Sequence, residues 1–392
     1  MPPERQDAAA GTARELETGT ADARPARLLV TGFRPGAGGI GRDMINLING
    51  CVRAGVDVSV LLDSEGSPDD AELAPGPRVD LIALSGPGAV SRLAGYITRL
   101  RPSAILCNRD QVSALVIAAV ADSRSRPRIV VRVGSHIPTK LRAKTAFSRW
   151  RRRRRLIATY RAADLLVGVS DGACAGLRDL LGEEVPPIRR IYSPIDLSRI
   201  TALASEEPTH PWFRDRHGPL LVSVGRLSRV KDQATMLRAF ALLPGDHRLV
   251  IFGEGKQRRE LEALANRLGV AGRVDLPGHS PNPFAHVARA DLFVLSSRFE
   301  GFGNALLEAL IVGTPAVSTD CPTGPREILG GGRYGRLVPI GRPDALAEAI
   351  RMTLKYPPPP ALLAEAVARM ELDQAIPRYL DALGLTPHAA SA

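Results

Sequence analysis

The chain has 392 residues, 44% of them hydrophobic and 24% charged, with a net charge of +11 and a pI near 10.0. Such a length exceeds one ordinary core and suits two domains, and the composition is ordinary for a soluble globular protein. No apolar run approaches the ~20 residues of a membrane-crossing helix, and the positive charge admits nucleic acid, anionic membrane or phosphorylated ligands, or only a solvated basic surface.

Residues 1–24 are rich in Ala, Glu, Arg and Thr and lack the apolar core of a signal peptide, so a disordered tail is expected. A first domain is expected over 25–195. Its strands are Arg27 to Phe33, Val56 to Leu62, Val79 to Leu84, Ala104 to Cys107, Arg128 to Val133 and Asp164 to Val169. Helices are expected at Asp43 to Ala54, Ala89 to Leu100, Gln111 to Ala121 and Leu156 to Ala163. Pro186, Pro187, Pro194, Pro208 and Pro211 interrupt the alternation, which places a linker over 196–217.

The alternation restarts over 218–370. Strands are expected at Leu220 to Val224, Arg248 to Phe252, Val274 to Leu276, Leu292 to Leu295, Ala316 to Ser318 and Gly335 to Val338. Helices between them start near Lys231, Gln257, Asn282, Asn304, Pro325 and Pro343. The tail over 371–392 is expected to be helical and free to pack back on the first domain. Repeated strand–helix alternation predicts an α/β fold of two doubly wound parallel sheets facing a cleft. Ligands then sit beyond the carboxyl ends of the strands. Cys51, Cys107, Cys174 and Cys321 show no C-x-x-C spacing, which predicts free thiols in a reducing, cytoplasmic setting and no zinc site.

Asp291 to Gly313 carries the strongest local signal. It reads strand, glycine turn, helix, with Glu300 in the turn and Glu308 on the helix. Such a turn points free N–H groups and a positive dipole end at whatever lies above it. Two carboxylates raise the question of a glycosidase pair, which needs a separation of ~5–5.5 Å. Eight helical residues would span ~12 Å, so an acid–nucleophile pair is not expected. Arg226 and Lys231, five residues apart after a strand, can point at one anion, although a solvated charge pair is the plain alternative. Gly36, Gly38 and Gly41 spell G-x-G-x-x-G, and Asp63 follows at the end of the second strand. That fits a dinucleotide fingerprint, except that Phe33, Arg34 and Pro35 lengthen the turn.

S-V-G-R-L-S-R-V-K-D-Q (Ser223 to Gln233), I-F-G-E-G (Ile251 to Gly255), E-G-F-G-N-A-L-L-E (Glu300 to Glu308), S-T-D-C-P-T-G-P-R-E-I-L (Ser318 to Leu329) and Y-G-R-L-V-P (Tyr334 to Pro339) follow one another in order. Together they resemble the retaining glycosyltransferases of family 4, which have the GT-B fold, and especially those of bacterial surface-polysaccharide and lipopolysaccharide assembly. In the first half, Gly38 and Gly39 resemble the family's glycine loop and Arg161 to Asp171 its strand ending in V-S-D.

The resemblance implies transfer from a nucleotide sugar, a UDP-sugar in the first instance, to a glycan or lipid-linked acceptor. Arg226 and Lys231 would then hold the donor diphosphate, and Glu308 the ribose hydroxyls. Glu300 and the backbone of Gly301, Phe302, Gly303 and Asn304 would meet the donor sugar and diphosphate. His136, in V-G-S-H-I-P, matches a family histidine near donor and acceptor, with a loop histidine as the alternative. Glu254 would stand at the edge of the site. Asp232 replaces a frequent glycine and is placed to cap a helix, and Y-S-P-I-D (Tyr192 to Asp196) departs from the family's hinge turn. No D-x-D motif resembles a metal site, so no obligatory metal or other cofactor is expected. An NAD-dependent oxidoreductase using Gly36 to Gly41 and a non-catalytic sugar-nucleotide-binding subunit are the competing readings. Arg149, Trp150, Arg151, Arg152, Arg153, Arg154 and Arg155 suggest a peripheral contact with anionic lipid, with a solvated basic face as the alternative. No nucleic-acid motif accompanies the run, so no nucleic-acid partner is expected.

Overall fold

The structure is a computed structural model and describes residues 27–33, 39–62, 73, 76–123, 126–142, 145–183 and 185–385. The tail over 1–24, Gly36, Gly38 and Asp63 lie outside the described residues. Strands β1 (Arg27–Phe33), β2 (Asp57–Leu62), β3 (Arg78–Leu81), β4 (Ala104–Cys107), β5 (Arg128–Val133), β6 (Leu165–Gly168) and β7 (Ile188–Arg190) form one sheet. Its order is β3-β2-β1-β4-β5-β6-β7, parallel throughout. Strands β8 (Leu220–Val224), β9 (Arg248–Phe252), β10 (Val274–Gly278), β11 (Leu292–Leu295), β12 (Ala316–Thr319) and β13 (Arg336–Val338) form a second parallel sheet, ordered β10-β9-β8-β11-β12-β13. The expected architecture of two doubly wound sheets is therefore the observed one.

Each sheet is buried on both faces, as parallel sheets with crossover helices must be. In β1, Leu28 and Val30 face one core and Leu29 the other. In β8, Leu221 faces one core of the second domain while Leu220 and Val222 face the other. Both sheets reverse direction of winding at one point, between β1 and β4 and between β8 and β11. A crevice opens at the carboxyl ends of strands there. Gly39 opens the helix that follows β1, and the loops after β8 and β11 carry Lys231 and Glu300.

Several elements differ from expectation. The first-domain helix starts at Gly39, inside the glycine stretch, rather than at Asp43. The basic run belongs to the helix Ala146–Arg161 and does not merely precede one. Arginine has good helix propensity, and its charge hid the helical period. The expected linker holds the helix Leu197–Ser205, started by Asp196, whose carboxylate accepts from the Arg199 N–H at 3.0 Å. Helix Asp171–Leu181 and strand β7 carried no clear signal.

The chain crosses between domains twice. Helix Pro360–Ala368 packs in the second domain through Leu363 and Ala366. Helix Ala375–Leu383 then lies in the first domain's core with Tyr379, Leu380 and Leu383. Arg128 Nε donates to the Ala382 carbonyl at 2.8 Å. All four cysteines are buried and unbridged. Among the described residues no helix is long and apolar enough to cross a membrane, and no cluster of metal-ligating side chains occurs.

Candidate active site

The loop after β8 turns sharply beneath the loop after β9. The Leu227 N–H donates to the Glu254 carbonyl at 2.9 Å, and a Cβ on Gly253 would sit 2.1 Å from the Gly225 carbonyl oxygen. Only glycine fits there. The Arg226 side chain is exposed, while its carbonyl accepts from Gln233 Nε2 at 3.0 Å. Five residues on, Lys231 points across to the loop after β11. Its Nζ lies 2.6 Å from Glu300 Oε1, and the same oxygen accepts from Ser297 Oγ at 2.5 Å. The Glu300 side chain is only 8% exposed and the Lys231 side chain 26%, so this is a largely dry ion pair at the mouth of a strand crevice.

Asp232 adopts a left-handed backbone conformation with φ 46. It stands at the expected cap position but does not cap the helix through a backbone N–H. Its carboxylate accepts from Thr235 Oγ1 and pairs with Arg298, both at 2.9 Å. Glu254 is exposed and pairs with Arg258 at 2.6 Å, which holds its carboxyl below the ordinary range.

Glu300 leads into a turn that meets the first domain. A Cβ on Gly301 would lie 2.1 Å from the Gly134 carbonyl oxygen on the loop after β5. Glycine at this position lets the two domains approach backbone to backbone. His136 follows on that loop, half-buried, with Nδ1 2.8 Å from Thr139 Oγ1. The Phe302 ring packs on Tyr192 at a centroid distance of 5.1 Å, leaving only its backbone to the turn. Gly303 has φ 102 and starts the helix Asn304–Ile311. Asn304 Nδ2 donates to Asp43 Oδ1 of the first domain, and a Cβ on Gly39 would come within 3.9 Å of the same amide. One turn on, Glu308 Oε1 lies 3.6 Å from Arg42 Nη1.

The structure thus brings Lys231 and Glu300 together, sets Gly39 beside Asn304, and sets the loop of His136 beside Gly301. It does not join Arg226 or Glu254 to that cluster by any direct side-chain contact among the described residues. The basic helix Ala146–Arg161 makes its ties elsewhere in the first domain, to Asp110 and to the Leu180 carbonyl.

Sequence reasoning missed the partners that the first domain brings. Arg42 and Asp43 directly follow the glycine stretch, and a charged pair opening an otherwise apolar helix was the available signal. Glu327 bridges the domains behind the turn. It accepts from Tyr192 Oη at 2.7 Å and from the Asp171 N–H at 2.9 Å. The unusual Tyr192 and Ser193 of Y-S-P-I-D therefore make specific contacts on both sides of the hinge.

Burial pushes the Glu308 carboxyl above its ordinary range; Arg42 opposes the shift and Asp43 adds to it. A carboxyl raised in the folded state costs nothing below its unfolded pKa of about 4.3. Stability is lost as pH rises from there through the folded pKa. Glu308→Gln is expected to raise Tm near pH ~7 and to leave it nearly unchanged near pH ~4. Thermal melts at the two pH values check this; a lower Tm at neutral pH would show that the Arg42 pair outweighs burial.

Comparison with known proteins agrees with the two-domain fold. The model of Glycosyltransferase Family 4 matches residues 37–199, and that of Glycosyl transferases group 1 matches residues 209–370. A Campylobacter jejuni relative is 33% identical over 196 residues, which is 50% of this chain and 52% of its own length. It is the N-acetylgalactosamine-N,N'-diacetylbacillosaminyl-diphospho-undecaprenol 4-alpha-N-acetylgalactosaminyltransferase. The lipopolysaccharide core biosynthesis glycosyltransferase LpsE of Rhizobium meliloti is 33% identical over 50% of this chain and 55% of its own length. The chain therefore spans about half the length of these curated relatives. HepE of Anabaena, solved with UDP, superposes with a TM-score of 0.76 at 18% identity, covering 92% of this chain and 99% of that one. With the two family models spanning both domains, the chain belongs to the family 4-type glycosyltransferases of GT-B fold.

Proposed function

We propose that this chain transfers a sugar, with retention of configuration, from a UDP-sugar to a glycan or lipid-linked acceptor in bacterial surface-polysaccharide assembly. The observation that carries the reading is the dry Lys231–Glu300 pair at the crevice, faced across the cleft by Gly39, Asp43 and the loop of His136. The names of the relatives support the pathway. The Campylobacter jejuni protein is named for a diphospho-undecaprenol substrate, and HepE is solved with UDP.

In this reading the bond between the sugar's anomeric carbon and the diphosphate oxygen breaks as the acceptor oxygen bonds to the same carbon. The electron pair leaves with UDP, and the acceptor's proton passes to a departing phosphate oxygen. Lys231 and the exposed Arg226 neutralise the charge growing on that diphosphate, with no metal required. Glu300 fixes Lys231 and meets the sugar, together with the backbone of Gly301, Phe302, Gly303 and Asn304. Glu308 takes the ribose hydroxyls, and His136 lies on the acceptor side.

The cavity beside Glu308, which Arg42, Asp43 and Asn304 also line, measures 30 Å³. That is room for about one water, not a nucleoside. Donor entry therefore parts Arg42 from Glu308 and Asp43 from Asn304, and the ribose takes over the freed carboxylate.

A thermal-shift panel tests the function. UDP is expected to raise Tm by several degrees and NAD to leave it unchanged. Stabilisation by NAD without UDP would overturn the reading in favour of a dehydrogenase. A screen of labelled nucleotide sugars against membrane lipid extracts then identifies donor and acceptor by the label entering the lipid phase.

A further inference from the structure

The basic helix Ala146–Arg161 is not uniformly solvated. At about 3.6 residues per turn, Arg152, Leu156, Thr159 and Tyr160 form its inner face. Leu156, Thr159 and Tyr160 are buried, and Arg152 pairs with Asp110 at 3.1 Å. Arg153 reaches the Leu180 carbonyl at 3.4 Å. These two arginines of the run are thus tied into the domain. Directly opposite the inner face stand Phe147, Trp150, Arg151 and Arg154. Phe147 is 68% exposed and Trp150 53%. Their rings stack at 6.3 Å, and each carries a guanidinium over its face, Arg151 on Phe147 at 5.9 Å and Arg154 on Trp150 at 5.0 Å. Arg149 and Arg155 are exposed beside them.

Two large aromatic rings held in water by stacking, in a ring of cations with no acid among them, fit one kind of surface. Anionic headgroups complement the guanidinium groups, and the rings seat at the boundary between headgroup and acyl chain. Topology places this stripe well. The chain leaves the carboxyl edge of β5 through a short helix, Ile137–Arg142, and the basic helix then carries it back to the amino edge of β6, against the direction of both strands. Its first turns, with Phe147 and Trp150, therefore lie at the edge where the cleft opens.

We propose that the outer stripe Phe147, Trp150, Arg151 and Arg154 seats the first domain on an anionic bilayer, with the cleft mouth turned to the membrane surface. This deepens the reading of a lipid-linked acceptor and rests on it. An acceptor anchored by its tail then presents its sugar or diphosphate head at the height of the cleft, and diffusion in two dimensions replaces capture from solution.

Flotation with vesicles of phosphatidylcholine, with and without phosphatidylglycerol, tests this on the full chain. The wild-type protein is expected to float with the anionic vesicles and to stay down with neutral ones. Its binding should be weakened by moderate salt and released only by high salt. R151Q/R154Q is expected to lower the bound fraction at least about tenfold, and F147S/W150S to abolish binding that survives moderate salt. Both pairs are exposed, so unchanged thermal melts show that folding is intact. Lys231→Ala is expected to float like wild type, because vesicle binding is read without turnover. Loss of transfer and loss of docking are thereby separated. Equal flotation of wild type and R151Q/R154Q, or no flotation of wild type, overturns the proposal. So does a wild-type protein that ignores vesicles yet binds RNA through the same arginines.

Discussion

Lys231→Ala is expected to lower kcat by about 10²–10³ while the chain remains folded, because a preorganised donor aimed at developing charge contributes on that scale. Lys231 is placed for the task by three features of the structure. It follows β8 at the switch point, its carbonyl accepts from Ser296 Oγ at 2.9 Å, and its Nζ is held 2.6 Å from Glu300. The loss should fall on kcat more than on donor KM, since the diphosphate gains its charge only as the bond breaks. The same substitution leaves Glu300 buried with Ser297 as its hydroxyl donor, so some loss of Tm is expected too. Lys231→Ala/Glu300→Gln separates the two effects. It should recover Tm and not turnover. Initial rates with a labelled UDP-sugar, read beside thermal melts, decide the matter, and normal turnover in Lys231→Ala would remove the assigned role. Wild-type protein that binds UDP and turns over none of the labelled donors would instead favour a non-catalytic nucleotide-binding subunit.

The two sheets were legible because fully buried parallel strands read as continuous apolar runs. Strands β1, β4, β5, β8, β9 and β11 lie where Arg27 to Phe33, Ala104 to Cys107, Arg128 to Val133, Leu220 to Val224, Arg248 to Phe252 and Leu292 to Leu295 put them. Strand β7 was not legible. Its sequence is Ile-Arg-Arg, and as an edge strand it is half open to solvent, so no apolar run marks it. Helix Ala146–Arg161 was masked in the opposite way, by charges on its outer face that swamp the period of Leu156, Thr159 and Tyr160. The turn from Glu300 to Glu308 was readable because its parts are local: strand, glycines, helix. Its first-domain partners were not. Asp43, Arg132 and Ser193 come from three segments, 89 and 61 residues apart, and only the fold brings them together.

Those same three residues carry the largest expected effect on stability. Arg132 on β5 is 2% exposed and spends its guanidinium on four partners. Nη2 donates to Asp43 Oδ2 and to Ser193 Oγ, both at 2.8 Å; Nη1 donates to Asn108 Oδ1 at 2.9 Å and Nε to Tyr379 Oη at 3.0 Å. The first sheet, the glycine-loop helix, the hinge and the returning C-terminal helix thus share one buried cation. Arg132→Met keeps the volume of the stem and removes the charge. It strands Asp43, whose side chain is 10% exposed, and a buried ion left unpaired costs about 3–5 kcal/mol. Ser193 and Asn304 still donate to Asp43, which favours the lower end, near 3 kcal/mol and about 6–12 °C in Tm. Urea unfolding followed by circular dichroism checks the figure. Arg132→Met/Asp43→Asn discriminates the cause. If the penalty is the stranded carboxylate, the double variant is more stable than Arg132→Met alone. If the lost hydrogen bonds to Tyr379 and Asn108 dominate, it is no better. Asn304→Ala removes only the link across the cleft, so its Tm should stay near that of wild type while donor KM changes. That contrast would show that the network sets the position of Asp43 and that Asn304 passes it to the donor turn.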